Sequence, residues 1–565
     1  MKIVEASPRR ERNLKHFGIL AAIVLSLAFA WAPPRDASAQ EQQPLQATQI
    51  PSLPMSPIEQ AEKDGTALRI SLKELTKLAL QNNLDIAISD TNEALYQQKV
   101  TQTYGFYDPT VNLTLSTGRS KSANTNITNQ STTTFNQRDS AVWNFSITQN
   151  VPTGGGFTAN FNSSRSDTNQ LASLFTPQFQ SSTQLQFTQP LLRNRKLDQT
   201  RGNIKLVNLD LKTNDSKFKQ GVTNTIASIQ GLYWDLVGAI RDYEIKRQSV
   251  ELARITVEQN KFKLSVGTAA PINITEAMAT QASREIDLIR AKETIQTTEN
   301  SLRNMISSDR NGDIWHQTIV PTESPDFREY QVDLNKSIET ALVKRPELEQ
   351  YDIQMQQNDI TAEIQKNARK WQFDLIGSFG ANGTAGPQSY TSGGVPKIPD
   401  QFVGGIFNAY KTIFTEGLTT WSVAFNVQIP LRNRTVDSQL AQTKISQRQL
   451  VMNRTKTEQN IIVQMRNSVE SLETSRQRVE TARISRQLAE EQLDGETKRY
   501  QAGMSQNFYV LQRQADLAAA QGAELQALIA YKKAVITLQQ NMYTLLEDND
   551  FEVAKTLGKS VPDLK

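Results

Sequence analysis

The sequence of 565 residues contains no cysteine and only two histidines. Without cysteine the chain has no disulfide, no thiolate metal site and no acylated cysteine anchor, a composition that suits an exported protein but also occurs in the cytosol. Only His316 lies beyond the first 39 residues, and we interpret it as a structural or solvated residue. We find no phosphate-binding glycine loop, metal-ligand spacing or nucleophile elbow. The sequence therefore predicts no enzyme activity, no cofactor and no metal site.

Long apolar runs are missing outside the N-terminal segment. That segment has a basic start, an apolar stretch over 17–32 and the small residues Ala37-Ser38-Ala39, which together are typical of an export leader with its cleavage signal. An uncleaved membrane anchor is the alternative, but the apolar stretch is short for a span of about 20 residues. We predict a signal peptide over 1–39 and a mobile tether over 40–70. Membrane insertion elsewhere would require a closed β-barrel.

An excess of one charge is missing as well once the leader is set aside. The leader carries six of the 62 basic residues and three of the 58 acidic residues, so its removal lowers the net charge from +4 to +1. A nearly neutral chain has no electrostatic footprint for nucleic acid. We therefore expect no nucleic-acid partner.

Proline is missing from residues 191–270 and 431–561. The second stretch is rich in strong helix formers, and its apolar residues alternate between steps of three and four, as in a coiled-coil seam. It predicts a helix over 435–502, a turn at 500–505 and a helix returning to about 546. The outgoing helix would reach about 100 Å at about 1.5 Å per residue, so it must span a distance rather than fill a core.

The first proline-free stretch repeats this design. A turn follows it at 266–271, and a second helical pattern runs from Ile274 to about Ile306. Gly267 and Gly503 are 236 residues apart, and Leu-Arg-Asn-Arg occurs at both 192–195 and 431–434. We infer an internal duplication, with repeat 1 over 71–307, a linker belt over 308–333, repeat 2 over 334–547 and a tail over 548–565. The seam of the first outgoing helix comprises Ile226, Ile229, Tyr233, Leu236, Ile240 and Tyr243.

The periodicity changes from 3.6 to 2 after a helix predicted over 72–104. Apolar and polar residues alternate over 109–189 and again over 371–430, and we predict four strands in the first region and two in the second. The alternation suits a wall with lipid on one side and water on the other, although a half-buried soluble sheet would also produce it. Between the last two strands we predict a glycine-rich loop that carries Phe402, Phe407, Tyr410 and Phe414.

Four to six strands from one chain would leave open edges. A lipid environment tolerates no unpaired backbone groups, so several copies would have to pool their strands to close a barrel. Homo-oligomerisation is therefore a requirement of the barrel interpretation.

The order of leader, helix, strands, long helix, glycine turn and returning helix, repeated once, resembles the TolC-like outer-membrane efflux protein family over nearly the whole mature chain. The residue matches are Tyr500-x-Ala502-Gly503 followed by Val510-Leu511, and Val266-Gly267 with Ala269-Ala270-Pro271-Ile272. The resemblance implies a mixed all-α plus β-barrel fold. In it, long α-helical coiled-coil hairpins form a trimeric tunnel in the periplasm, joined to a transmembrane β-barrel in the outer membrane.

The resemblance also implies the function. A homotrimer would be the outer-membrane channel of a tripartite efflux or type I secretion system and would give passive passage to the exterior. Its partners would be outer-membrane lipid, a periplasmic adaptor (membrane fusion) protein, and an inner-membrane efflux pump or ABC transporter. A stand-alone porin would make the long helices superfluous, and a secreted coiled-coil structural protein would leave the alternating strands unexplained.

The resemblance assigns adaptor docking to the hairpin tips, although the same glycines would also be needed merely to close the hairpins. Relatives narrow the tunnel entrance with acidic side chains shortly after the turns, and this chain departs from them by placing Tyr509, Gln512 and Asn273 there, with Glu276 nearby. Ser505 replaces an arginine that helps to lock the entrance in those relatives. The docking residues expected are Val266, Gly267, Thr268, Ala502, Gly503, Met504 and Ser505. The residues expected to constrict the entrance are Asn273, Glu276, Tyr500, Tyr509 and Gln512.

Overall fold

A computed structural model describes residues 55–123, 134–170, 173–268, 270–389 and 398–549. The predicted signal peptide, the tether up to residue 54 and the tail from residue 550 lie outside the described residues. The helices are α1 Pro57–Asp64, α2 Leu72–Asn82, α3 Leu84–Tyr104, α4 Gln199–Ser265, α5 Pro271–Ile306, α6 Leu334–Lys344, α7 Pro346–Ala368, α8 Ile406–Thr415, α9 Arg434–Gln501 and α10 Asn507–Met542. The strands are β1 Ala67–Ile70, β2 Thr110–Ala123, β3 Phe135–Asn150, β4 Gly156–Thr168, β5 Gln178–Pro190, β6 Thr318–Pro321, β7 Gln372–Ala385 and β8 Thr419–Gln428.

Two helical hairpins dominate the molecule, as the proline-free stretches predict. The outgoing helices α4 and α9 have 67 and 68 residues, and the returning helices α5 and α10 have 36 residues each. Helix α4 packs against both α5 and α3. Helix α9 packs in the same way against both α10 and α7. All six predicted seam residues of α4, from Ile226 to Tyr243, are buried. Burial of this apolar stripe supplies the main stabilisation of such long helices.

Six strands form one antiparallel sheet in the order β2-β3-β4-β5-β7-β8. Four strands come from the first half of the chain and two from the second, as predicted. Every residue of the two edge strands β2 and β8 is exposed. Within the described residues, no further strand pairs with the outer edge of either one.

The two faces of this sheet differ in polarity. Directly paired residues share a face, so the register places Leu115, Trp143, Phe161 and Phe379 on the same side. We call this side the apolar face. A cavity of about 580 Å³ is lined mainly by side chains of the opposite, polar side. The side chains that line the cavity include those of Asn144, Asn162, Ser164, Gln180, Ser182 and Asn382.

The prediction of a single helix over 72–104 is wrong, because the helix is broken at Asn83 into α2 and α3. This residue has extended dihedral angles, and its Oδ1 accepts a hydrogen bond from the Ile86 N–H at 3.1 Å. Its Nδ2 donates to the Met305 carbonyl at 2.7 Å. Asparagine is a favoured N-cap, so a second helix starts here, and Asn83 holds the joint against the end of α5.

The predicted tether is also wrong from Pro57 onward, where an ordered helix begins. Ser56 and Glu59 form a reciprocal capping box, and Pro57 occupies the first turn, where its missing N–H carries no penalty. Strand β1 then pairs in parallel with β6 of the predicted linker belt. Helix α1 and strand β1 therefore occupy most of residues 57–70, where the sequence predicted a tether.

Two further boundaries differ from the sequence prediction. The returning helix α10 ends at Met542 rather than at about 546, because Tyr543 adopts a left-handed conformation with φ +61°. The glycine-rich loop between β7 and β8 contains the short helix α8, which packs on the sheet through Ala409, Thr412 and Ile413. Ten residues are too few to display helical periodicity clearly in a sequence.

Candidate functional site

The tip of the first hairpin is a tight turn that ends α4. The Gly267 N–H donates to the Leu264 carbonyl at 3.0 Å, and the Thr268 N–H donates to the Lys263 carbonyl at 2.8 Å. This pair of hydrogen bonds is the Schellman motif, which needs a left-handed residue, and Gly267 has φ +77°. Ala269 lies outside the described residues. The next helix, α5, begins with Pro271 in its first turn.

The second tip has the same geometry 236 residues later. The Gly503 N–H donates to the Tyr500 carbonyl at 3.1 Å, and the Met504 N–H donates to the Arg499 carbonyl at 2.9 Å. Gly503 has φ +75°. In each tip, the residue before the returning helix is extended, at Ala270 and at Gln506. The predicted turn glycines therefore have identical backbone roles.

Tyr500 brings the two tips together. Its hydroxyl donates to Oδ1 of Asn260 on α4 at 3.2 Å. The Lys263 ammonium, also on α4, lies 3.5 Å from the centroid of the Tyr500 ring, a cation–π contact. Tyr500 was predicted as an entrance residue, and the structure shows that it joins the outgoing helices of both hairpins. The Asn260 amide also donates to the Asn273 carbonyl at 3.4 Å, which connects the start of α5 to this contact.

Ser505 takes part in a second contact at the same tip. Its hydroxyl donates to the carboxylate of Glu496, one of the less exposed acids near the turn. The Arg499 guanidinium lies 3.8 Å from the other oxygen of that carboxylate. The tip of the second hairpin thus holds an acid between a hydroxyl and a guanidinium.

The ends of both hairpins expose large apolar side chains to solvent. Met504 is 75% exposed, and Val266 is more than half exposed. The docking residues expected from the sequence did not include three exposed neighbours, Phe262, Ile272 and Phe508, although each lies five residues from a turn glycine. We call the whole set the tip surface, and it comprises Phe262, Val266, Ile272, Met504 and Phe508.

The remaining predicted entrance residues lie on the returning helices, Asn273 and Glu276 on α5 and Tyr509 and Gln512 on α10. Within the described residues, no hydrogen bond or ion pair joins Asn273 or Glu276 to Tyr509 or Gln512. The sequence analysis also missed an acid one turn further along α10. Asp516 accepts hydrogen bonds from Gln512 Nε2 at 3.2 Å and from Arg513 Nη1 at 2.9 Å.

The part of the chain that the structure describes contains no group of three or more histidine, aspartate or glutamate side chains arranged to hold a metal ion. None of the described helices is both long enough and apolar enough to cross a membrane.

The fold resembles several solved bacterial channels at low sequence identity. The Campylobacter jejuni CmeC outer membrane channel has 16% identity and a TM-score of 0.60, over 86% of each chain. The outer membrane protein VceC from Vibrio cholerae has 15% identity and a TM-score of 0.57, over 83% of this chain and 95% of its own. The open state of the Neisseria gonorrhoeae MtrE outer membrane channel has 14% identity and a TM-score of 0.54, over 83% of this chain and 88% of its own.

No curated protein matches the sequence significantly. A sequence profile of the family described as "Outer membrane efflux protein" matches residues 156–308 and 337–542, which together are more than half of the chain. These ranges include both outgoing helices and both tips. The chain therefore belongs to the outer membrane efflux protein family, as its resemblance to TolC-like channels indicated.

Proposed function

We propose that this protein is the outer-membrane channel of a tripartite efflux system and that it works as a homotrimer. The observation that carries the proposal is that, among the described residues, no strand pairs with the outer edges of β2 and β8, in a sheet that has one apolar face. Such edges expose unpaired N–H and C=O groups, which are costly in lipid. Pairing β8 of one copy with β2 of the next would satisfy them.

The number of strands favours three copies. Three six-stranded sheets supply eighteen strands. Barrels of about 16–18 strands enclose an aqueous channel, whereas barrels of about eight are filled by their own side chains. With the apolar face outward, lipid would contact the aromatic side chains and the polar face would line the channel.

The helical hairpins would continue this channel through the periplasm. The 67 and 68 residues of α4 and α9 correspond to about 100 Å each, a length that a barrel alone does not require. The tip surface lies at the far end and exposes apolar side chains that a partner protein could bury. We propose that a periplasmic adaptor docks there and connects the channel to an inner-membrane efflux pump or ABC transporter.

An internal duplication explains how one chain builds two matching hairpins. Besides the two tip motifs, Nδ2 of Asn83 donates to the Met305 carbonyl, and Nε of Arg345 donates to the Asn541 carbonyl, both at 2.7 Å. The two carbonyls are 236 residues apart, the same offset as between the turn glycines. Each contact joins a break between two helices to the end of a returning helix, which supports two repeats of one design.

Deletion and purification test the proposed function. Extracted from outer membranes in detergent, the protein should sediment as a trimer and form conducting pores in planar bilayers.

Deleting its gene should raise intracellular accumulation of an efflux dye, and the intact gene should reverse this. A compact monomer that stays soluble without detergent would contradict the proposal. A defect confined to secretion of a protein would indicate type I secretion instead, and a defect confined to solute uptake would indicate a porin.

A further inference from the structure

Helix α8 lies on the apolar face of the six-stranded sheet. The Trp143 Nε1–H donates to the Tyr410 hydroxyl at 2.8 Å, and Phe161 lies 5.5 Å from the Tyr410 ring. Both partners project from the apolar face. On the same face, a Cβ added to Gly383 would overlap the Ala409 carbonyl oxygen and approach Thr412 and Ile413. The glycine thus allows the helix backbone to rest directly on β7.

The position of α8 along the strands coincides with a change in side-chain chemistry. Toward the long helices, the apolar face carries large apolar groups such as Leu115 and Phe145. Toward the opposite end of the strands, the same face carries charged pairs, with Arg119 bound to Asp139 at 2.6 Å. Tyr410 and Gly383 meet the sheet at the row that runs through Trp143, Ser163 and Ser181, between these two zones.

The outward side of α8 is aromatic and exposed to solvent. Phe407 is 80% exposed and Phe414 is 83% exposed, and the exposed Lys411 lies between them. Positions i, i+4 and i+7 share one side of a helix, so the three side chains form one surface directed away from the sheet. The buried positions of the helix are Ala409, Thr412 and Ile413.

We propose that α8 is an interfacial helix that rests in the headgroup region of the lipid bilayer. Phe407 and Phe414 contact the acyl boundary, and Lys411 contacts headgroup phosphates. The proposal rests on the proposed function, because it requires lipid against the apolar face. Where apolar strands give way to charged ones, a transmembrane sheet meets the membrane surface, and amphipathic aromatic helices with basic residues bind at that depth.

A neighbouring subunit is a less suitable occupant of this surface. Helix α8 packs on β5 and β7, and Tyr410 reaches β3 and β4, so the helix covers the middle of the sheet. Subunits that join through β2 and β8 meet at the edges of the sheet. The outward side of α8 therefore points to lipid.

Spin labels test this assignment in the full-length protein reconstituted in phosphatidylcholine vesicles. Because the chain has no cysteine, each variant carries a single label. The test positions are Phe407→Cys and Phe414→Cys, with Val423→Cys on the apolar face of β8 as the lipid control and Asn162→Cys on the polar face as the water control. Collision rates with oxygen and with a polar nickel chelate report the depth of each label. We expect the oxygen-to-nickel ratio at both α8 positions to be several-fold above that at residue 162.

The outcomes separate the inference from the proposed function. If the α8 labels behave like the label at 162 while the label at 423 reports lipid, the inference fails and the channel stands. If the label at 423 also reports water, the proposed function fails. Exclusion of both reagents from the α8 labels would mean that protein covers the helix, which also overturns the inference.

A second comparison tests Lys411. Adding phosphatidylglycerol to the vesicles should slow the rotational motion of the label in the Phe414→Cys variant. The same lipid should have no such effect when Lys411→Gln is added to that variant, whereas Lys411→Arg should preserve the effect. An equal effect of the anionic lipid in all three would overturn the headgroup contact.

Discussion

The Tyr500 hydroxyl on α9 donates a hydrogen bond to Oδ1 of Asn260 on α4 at 3.2 Å, and this contact joins the two helical hairpins beside their tips. Its partners come from opposite halves of the chain. The Lys263 ammonium over the Tyr500 ring adds a second attraction between the same two helices. Whatever binds the tip surface therefore meets two hairpins that are already linked to each other.

Tyr500→Phe removes the hydrogen bond and keeps the ring. We expect the free energy of local opening near residue 260 to fall by about 1 kcal/mol, the usual net contribution of such a bond. Tyr500→Ala should cost more, because the cation–π contact with Lys263 is lost as well. Hydrogen exchange of the α4 amides measures both effects. Tyr509→Phe, at a half-exposed tyrosine on α10, is the control and should leave the exchange unchanged. Equal exchange in the Tyr500→Phe and Tyr509→Phe variants would contradict the role of the bond.

The left-handed glycine of each tip should resist substitution for a backbone reason alone. A Cβ at Gly503 or Gly267 would meet nothing within 4 Å, so Gly503→Ala should destabilise the turn by about 1–2 kcal/mol only through its φ of +75°. Gly503→Asn should cost less, because asparagine tolerates this conformation.

The matched control for this prediction is Gly495→Ala. Gly495 lies inside α9, has equally open surroundings and has no positive φ. This substitution should stabilise the helix by about 1 kcal/mol. Hydrogen exchange of the amides near each substitution measures both variants. A destabilised Gly495→Ala variant would contradict the open surroundings of Gly495.

Docking at the tip surface predicts a separation of assembly from transport. Gly503→Trp and Met504→Asp should leave the trimer intact, because the positions are exposed in the chain, while efflux of a dye and binding of the purified adaptor are lost. Leu488→Asp, at an exposed apolar position of α9 outside the tips, is the matched control and should retain adaptor binding. Normal transport by both tip variants would remove the docking assignment.

Gly383 should be required for α8 to pack on the six-stranded sheet. Gly383→Val places methyl groups where the Ala409 carbonyl lies, so the helix should lift from the sheet and its amides should lose most of their exchange protection. Gly377→Val on the same strand and the same face is the control, because a Cβ there meets nothing within 4 Å. Equal exchange protection of the α8 amides in the two variants would contradict the role of Gly383.

Two glutamates should give pH dependences of opposite sign. Burial raises the pKa of Glu299 above its usual 4.5, even though its carboxylate accepts hydrogen bonds at 2.7 Å from Arg303 and from the Ile319 N–H. Hydrogen bonds from Arg476 lower the pKa of the half-exposed Glu473 to about 2. The folded state therefore favours the protonated form of Glu299 and the ionised form of Glu473.

The contribution of Glu299 to stability, measured against Glu299→Gln, should be complete below pH 4.5 and decline as the pH rises through the folded-state pKa. The contribution of Glu473, measured against Glu473→Gln, should be present above pH 4.5 and be lost as the pH falls toward about 2. Thermal midpoints in detergent across this range compare the variants. Slopes of the same sign for the two glutamates would contradict the burial argument.

The long elements of this fold could be predicted from sequence because their signals are local. Proline-free stretches indicated both α4 and α9, the latter to within one residue at each end, and alternation indicated all six strands of the sheet. The turn glycines were recognised because Schellman motifs need a left-handed residue. These features depend on neighbours within a few positions of the chain.

The features that the sequence analysis missed depend on distant partners or on short signals. Asn83 breaks a helical pattern because its side-chain amide donates a hydrogen bond to the carbonyl of Met305, which lies 222 residues away. Helix α1 carried a readable capping box at Ser56 and Glu59, but a glutamine- and proline-rich context outweighed it. The bond between Tyr500 and Asn260 and the seat of α8 on Gly383 arise only when separate elements pack together.

The unequal lengths of the helices determine where the molecule can bend. Each outgoing helix runs unbroken past the point where its shorter neighbours stop, while Asn83 and Arg345 mark joints between α2 and α3 and between α6 and α7. An intact helix resists flexing along its axis, whereas a joint between two helices offers torsional freedom. A load applied at the tips would therefore be relieved at the joints at Asn83 and Arg345 rather than within α4 or α9.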